Sequence, residues 1–189
     1  MNPRSATDVE FSAPLARGDI GCRHEQRNVS LFLRLAFCPS TSLVSAISRL
    51  VSDFCRQGLS DLDISSRFHM AAHELAENMT KYSSGAAVSL EVELSEQAGE
   101  HLLTLRTRNH ASPERLREVS KRLAEIRAAV DPSKLYDRLI EESAPLEGVS
   151  GLGLARIRAE GLEFDYAIRG DELTLIVQER FSKPVSAKL

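Results

Sequence analysis

Two pairs of alternating runs constrain this chain more than any other feature. Ala87 to Leu94 (AVSLEVEL) and His101 to Arg108 (HLLTLRTR) place apolar residues at alternate positions, the period of a strand with one buried face. Gln97-Ala98-Gly99-Glu100 joins them, so they read as a hairpin. A second pair, Phe164 to Ile168 and Leu173 to Glu179, turns at Gly170-Asp171. Val29 to Phe37 (VSLFLRLAF) alternates as a fifth strand. Sequential pairs of this kind favour an antiparallel or mixed sheet.

Helical stripes fill the intervals. After Ser40 or Thr41, either able to cap, Leu43, Ile47, Leu50 and Phe54 form one stripe, with Val44, Val51 and Cys55 beside it and Gly58 at the end. A second helix spans about Ile64 to Tyr82, carrying Phe68, Ala72, Leu75, Met79 and Tyr82, and stops at Ser83-Ser84-Gly85. Ser112-Pro113 starts a third, with Leu116, Val119, Leu123, Ile126 and Val130 in step. Asp131-Pro132 starts a shorter one with Leu135, Tyr136, Leu139 and Ile140, and another runs from Leu152 to Glu160. The order is β-α-α-β-β-(αα)-loop-α-β-β. It predicts an α/β (α+β) two-layer sandwich, a mixed, mostly antiparallel sheet with helices on one face. Residues 1–27 read as a flexible N-terminal arm, 28–182 as the domain and 183–189 as a tail.

Composition excludes several roles. Among 189 residues the net charge is −3, so no overall basic field draws the chain to nucleic acid or anionic lipid. No apolar run approaches the roughly 20 residues that span a bilayer. Met1 to Arg17 holds no apolar signal core, so a cytoplasmic location is expected. Cys22, Cys38 and Cys55 form no CxxC and read as reduced thiols. His69, His73 and Glu74 have the wrong order for a zinc-binding HExxH. Arg108, Arg115, Arg117, Lys121 and Arg122 are interrupted by Glu114 and Glu118, the mark of a solvated face.

Two stretches carry candidate chemistry. In HELAENMTKYS, Glu74 and Asn78 lie one helical turn apart, and Lys81 continues the stripe. Asn can offer an oxygen to Mg²⁺, Glu can take a proton, and Lys can meet a phosphate. The same face also reads as solvated, with a Glu77–Lys81 pair. In GVSGLGLARI, glycines precede a helix whose first N–H groups suit an anion. It is neither a Walker loop nor GxGxxG, and by itself reads equally as a helix–helix turn.

Taken in this order and separation, the two stretches resemble the Bergerat-fold (GHKL, histidine-kinase-like) ATPases, the family of gyrase, MutL and the histidine kinases. HELAENMTKYS looks like the family's Asn-containing helix, and GVSGLGLARI like its second glycine box, where the ATP lid ends. The short layout is most similar to the anti-sigma-factor serine kinases. DPSKLYDRLIEES before SGLGLARI resembles small bacterial switch regulators of that group, including the Sia-type kinase of a partner-switching pathway. The resemblance covers about residues 28 to 181.

It implies Mg²⁺ and ATP as cofactors, with Asn78 as the Mg²⁺ residue, Glu74 as the general base and Lys81 as a phosphate contact. Ser150, Gly151, Leu152 and Gly153 match the cradle of the β- and γ-phosphates. It implies a protein partner, either a phosphorylated antagonist or a sigma-factor-like target, and a dimer, as such kinases commonly form. One departure matters. Where the family carries Asp-x-Gly-x-Gly, with the Asp on the adenine amino group, this chain reads Thr107-Arg108-Asn109-His110-Ala111-Ser112. Asn109 can accept that hydrogen bond but supplies no charge. Either nucleotide binds in an altered way, or the fold serves as a pseudokinase that binds a partner without turnover. A homodimer built on the helix from Pro113 to Val130 is a third reading, although the same stripe reads equally as a helical lid over the site or as a plain core helix.

Overall fold

A computed structural model describes residues 28–59, 61–85, 87–97, 99–143 and 151–182. The expected arm, the expected tail and Gly148-Val149-Ser150 lie outside the described residues. The strands are β1 (Asn28–Phe37), β2 (Val88–Gln97), β3 (Glu100–His110), β4 (Glu163–Arg169) and β5 (Glu172–Phe181). The helices are α1 (Thr41–Gly58), α2 (Leu62–Tyr82), α3 (Pro113–Ala128), α4 (Pro132–Ser143) and α5 (Leu152–Ala159).

The sheet order is β1-β2-β3-β5-β4, and every neighbouring pair is antiparallel. The mixed element of the expectation is therefore absent. Two hairpins fix two of the pairings, and the helical connections bring β1 beside β2 and β5 beside β3 in the same sense. Register puts Leu33, Val92, Leu105, Val177 and Phe164 in one row across all five strands. That row lies on the core side, where Val92, Leu105 and Val177 are fully buried. The helices cover this side and share one apolar cluster with it. The opposite face carries the polar half of each alternation, as a sheet with one solvated side requires.

Caps follow the expected chemistry at two helices. Ser112 accepts from the Arg115 N–H at 3.4 Å with Pro113 in the first turn, and Asp61 accepts from Asp63 and Ile64. Two stripes need correction. α1 buries Val44, Ile47, Val51 and Cys55, while Leu43 and Leu50 remain 37% and 44% exposed. Ser48, Ser52 and Gly58 share the buried side, and these small residues let α1 approach α2 and β1 closely. Val130 lies beyond the end of α3 and is fully exposed. No described helix is long and apolar enough to cross a membrane.

Candidate functional site

Asn78 comes from the C-terminal part of α2, and Asn109 from the end of β3. The alternation of β3 turns Asn109 to the core side, opposite Leu173, where it is 4% exposed. Both line one cavity of about 10 Å³, together with Met79, Tyr82, Val119, Leu154, Leu173 and Leu175. That volume holds about one water molecule. Among the described residues, the Nδ2 atoms of Asn78 and Asn109 are buried without a hydrogen-bond partner, as is the hydroxyl of Thr107 on the same strand as Asn109. Each such amide carries a desolvation cost of about 1–3 kcal/mol. An apolar chamber with two unpaired donors from different elements is what the sequence-predicted pair becomes in three dimensions.

Val119 of α3 closes this chamber. Leu116, Leu123 and Ile126 sink α3 into the core, so this part of its apolar stripe is buried within the chain. Arg115 donates to the Lys81 carbonyl at 2.7 Å and ties the start of α3 to the end of α2. Arg127 donates to Asp165 at 3.2 Å and stands 4.8 Å over the Tyr166 ring, tying the other end to β4.

Glu74 lies one turn before Asn78 but faces α5. Its Oε1 is 3.4 Å from Arg156 Nη1, and its side chain is 18% exposed. Gly153 abuts it: a Cβ there would stand 2.8 Å from the Glu74 carboxyl carbon. The glycine therefore serves a close approach of α5 to α2. Gly151 caps α5 at φ +106°, and a Cβ there would meet Arg122 Cγ of α3 at 2.6 Å. Leu152 packs partly against the core. Lys81 points elsewhere. It is 60% exposed and pairs with Glu77 at 3.2 Å, and Glu77 also lies 3.6 Å from His73. His69 hydrogen-bonds the Ser48 carbonyl at 3.0 Å. Ser150 lies outside the described residues.

The structure thus joins Asn78 to Asn109, and Glu74 to Gly153, leaving Lys81 outside both groups. Val119, Arg122 and Arg156 were not legible as site residues. Arg156 follows Gly153 by three, but nothing in the string announces its carboxylate. Among the described residues, no cluster of three or more His, Cys, Asp or Glu side chains suits a metal ion. A single amide oxygen, as Asn78 would offer Mg²⁺, is not such a cluster.

No protein-family description and no curated protein matches the chain. Among solved structures it is similar to a chain in the crystal structure of the SiaB–SiaC complex from Pseudomonas aeruginosa. Identity is 14%, over 82% of this chain and 91% of that chain, with a TM-score of 0.53. At that identity the likeness is one of fold.

Proposed function

We propose that this chain is a regulatory protein of the histidine-kinase-like fold, acting in a partner-switching pathway through a nucleotide site roofed by α3. The observation that carries this reading is the pair of unpartnered amides of Asn78 and Asn109, brought to one chamber from α2 and β3. The unpaired Nδ2 of Asn109 fits the adenine edge, whose ring nitrogens are acceptors, and that of Asn78 fits a phosphate oxygen beside the metal its own Oδ1 would hold. The volume does not fit while α3 is seated, since small-molecule sites occupy about 300–1,000 Å³. Binding therefore requires Val119 and α3 to move.

In this reading Asn78 would hold Mg²⁺, and Asn109 would contact the adenine in place of the missing Asp. Ser150, Gly151, Leu152 and Gly153 would receive the phosphates, and Lys81 would turn from Glu77 to assist. Mg·ATP supplies the phosphoryl group. Glu74 would take the proton of a Ser or Thr hydroxyl on an antagonist protein once Arg156 releases it. The shared fold with a chain of the SiaB–SiaC complex, an assembly of two proteins, supports a protein partner. The Glu74–Arg156 pair and the loss of Asp-x-Gly-x-Gly favour a second reading, in which the partner is bound without turnover.

Calorimetric titration of Mg·ATP and Mg·ADP into the protein, with Asn78→Ala alongside, tests the site. Binding that weakens in the variant is expected. Absence of binding, where millimolar affinity would register, sinks the nucleotide reading and leaves partner binding alone. If nucleotide binds, unchanged partner phosphorylation by folded Glu74→Ala sinks the role of Glu74.

A further inference from the structure

The solvated face of the sheet carries a cluster that the nucleotide reading does not use. Register sets Arg34 opposite Glu91, and Glu91 opposite Arg106, in a single cross-strand row. Arg108 stands two residues along β3 on the same face. All three arginines reach one carboxylate: Arg34 Nε at 3.4 Å, Arg106 Nη1 at 3.1 Å and Arg108 Nη1 at 3.0 Å. The Glu91 side chain is 9% exposed, while the side chains of Arg34, Arg106 and Arg108 are 60%, 28% and 35% exposed.

One carboxylate against three guanidiniums leaves two positive charges uncompensated at contact range. Glu93, in the next row, forms no ion pair among the described residues. Arg106 and Arg108 lie about 7 Å apart along one strand face, a spacing at which like charges repel. Arg106 and Arg108 each donate one hydrogen bond to Glu91 and Arg34 only an ion pair, so among the described residues most of their donors have no protein acceptor. The neighbours of Arg108 are small: Ser89 and Thr174 across the strands, with Ala36 beyond Ser89. The helices pack on the other face, so the cluster stands on the open side of the sheet. In a chain of net charge −3 the three arginines form a local positive excess, bounded by Glu93 and Glu163 in the next row and by Asp165 at the far edge of their own row, where it pairs with Arg127.

We infer that this face docks an acidic segment of a partner protein, with Arg34, Arg106 and Arg108 as carboxylate receptors and Glu91 as the group that holds them together when the face is free. Charge complementarity selects the partner's acidity. The open side of the sheet is accessible to a protein segment, and competition by a small anion distinguishes the two occupants. The inference does not rest on the nucleotide site, and it survives if that site proves empty of function.

The test titrates the full chain with a short poly-glutamate peptide and follows arginine Nε–H resonances by NMR. Arg34, Arg106 and Arg108 should shift together. Arg106→Gln and Arg108→Gln should each weaken binding about fivefold, the upper end for one solvent-exposed ion pair, while Arg117→Gln on α3 leaves it unchanged. Glu91→Gln removes the internal competitor and should tighten binding. Should Glu91→Gln fail to fold, Arg34→Gln at the exposed edge should still weaken it. Equal losses in Arg117→Gln would show nonspecific attraction and overturn the inference. Inorganic phosphate that displaces the peptide at equal concentration would make this a small-anion site and overturn it too. So would a change in the sedimentation of Arg106→Gln without a change in peptide affinity, since the occupant would then be a second copy.

Discussion

Gly151 and Gly85 both sit at positive φ, +106° and +90°, yet their surroundings differ. A Cβ on Gly85 meets nothing within 4 Å, whereas one on Gly151 meets Arg122 at 2.6 Å. Gly85→Ala should cost only the backbone term, about 1–2 kcal/mol. Gly151→Ala should cost about 1 kcal/mol more, because Arg122 must also move. Urea unfolding of both variants checks this, and equal losses would mean that α3 does not press on the glycine turn. Cys55 offers a second residue-scale reading. Burial pushes its thiol from 9.0 up to about 12, since the thiolate would lose its hydration. The unfolded chain ionises this thiol first, so above pH 9 the folded state binds more protons than the unfolded one. The contribution is fully present below pH 9 and falls by about 1.4 kcal/mol per unit as pH rises towards 12. Cys55→Ala should flatten that part of the stability profile. In the native protein exposed Cys38 should react with a thiol reagent at pH 8 while Cys55 does not.

At the scale of elements, the strands were legible because a period of two leaves no choice of face. Once Leu90, Val92 and Leu94 go inward, Glu91 must go outward. The helix α1 shows where that logic ends. Leu43, Leu50 and Phe54 flank Val44, Val51 and Cys55 on one broad apolar arc, and spacing cannot say which edge of the arc meets the sheet. Small residues decided it, and Ser48 and Ser52 had not counted as core. Contacts between distant elements were equally silent. Arg67 of α2 reaches Glu179 of β5 at 2.6 Å, and the second oxygen of Glu179 is buried without a partner among the described residues. Burial raises this carboxyl above its ordinary value, and Arg67 opposes the rise. With Arg67→Met the carboxylate loses its counter-charge and the rise grows. A carboxyl raised in the fold contributes its stability at pH below the ordinary value and loses it as pH rises. The variant's deficit should therefore be small near pH 4 and grow to about 2 kcal/mol at pH 7, less than the full cost of breaking a wholly buried pair. A deficit independent of pH, measured by urea midpoints at both values, would assign Arg67 a packing role only.

For the whole molecule, the question is how a chamber of about 10 Å³ could serve a nucleotide. Asn78 and Asn109 were legible as polar residues in motif positions. Their roof was not, because the stripe of α3 reads the same whether it covers a site, packs on a core or meets a second copy. In the folded chain α3 packs on the core and covers the chamber that Asn78 and Asn109 line. Seating Leu116, Leu123 and Ile126 is worth about 1.5–3 kcal/mol each, so the fully displaced state is rare. A ligand that needs even a partial displacement binds with an affinity reduced by the fraction of molecules already open. Loosening the roof should then strengthen binding, whereas it would weaken binding if α3 contributed contacts to the ligand. Arg115→Ala removes the charged hydrogen bond from α3 to the Lys81 carbonyl and touches neither asparagine. With about 1 kcal/mol lost from the closed state alone, Mg·ATP should bind about fivefold tighter by calorimetry. Hydrogen exchange should quicken in α3 and slow in α2 as nucleotide is added. If Arg115→Ala binds equally or more weakly, α3 belongs to the binding-competent state, and the space for the ligand must open from another side, between α5 and α2, where Arg156 would have to release Glu74.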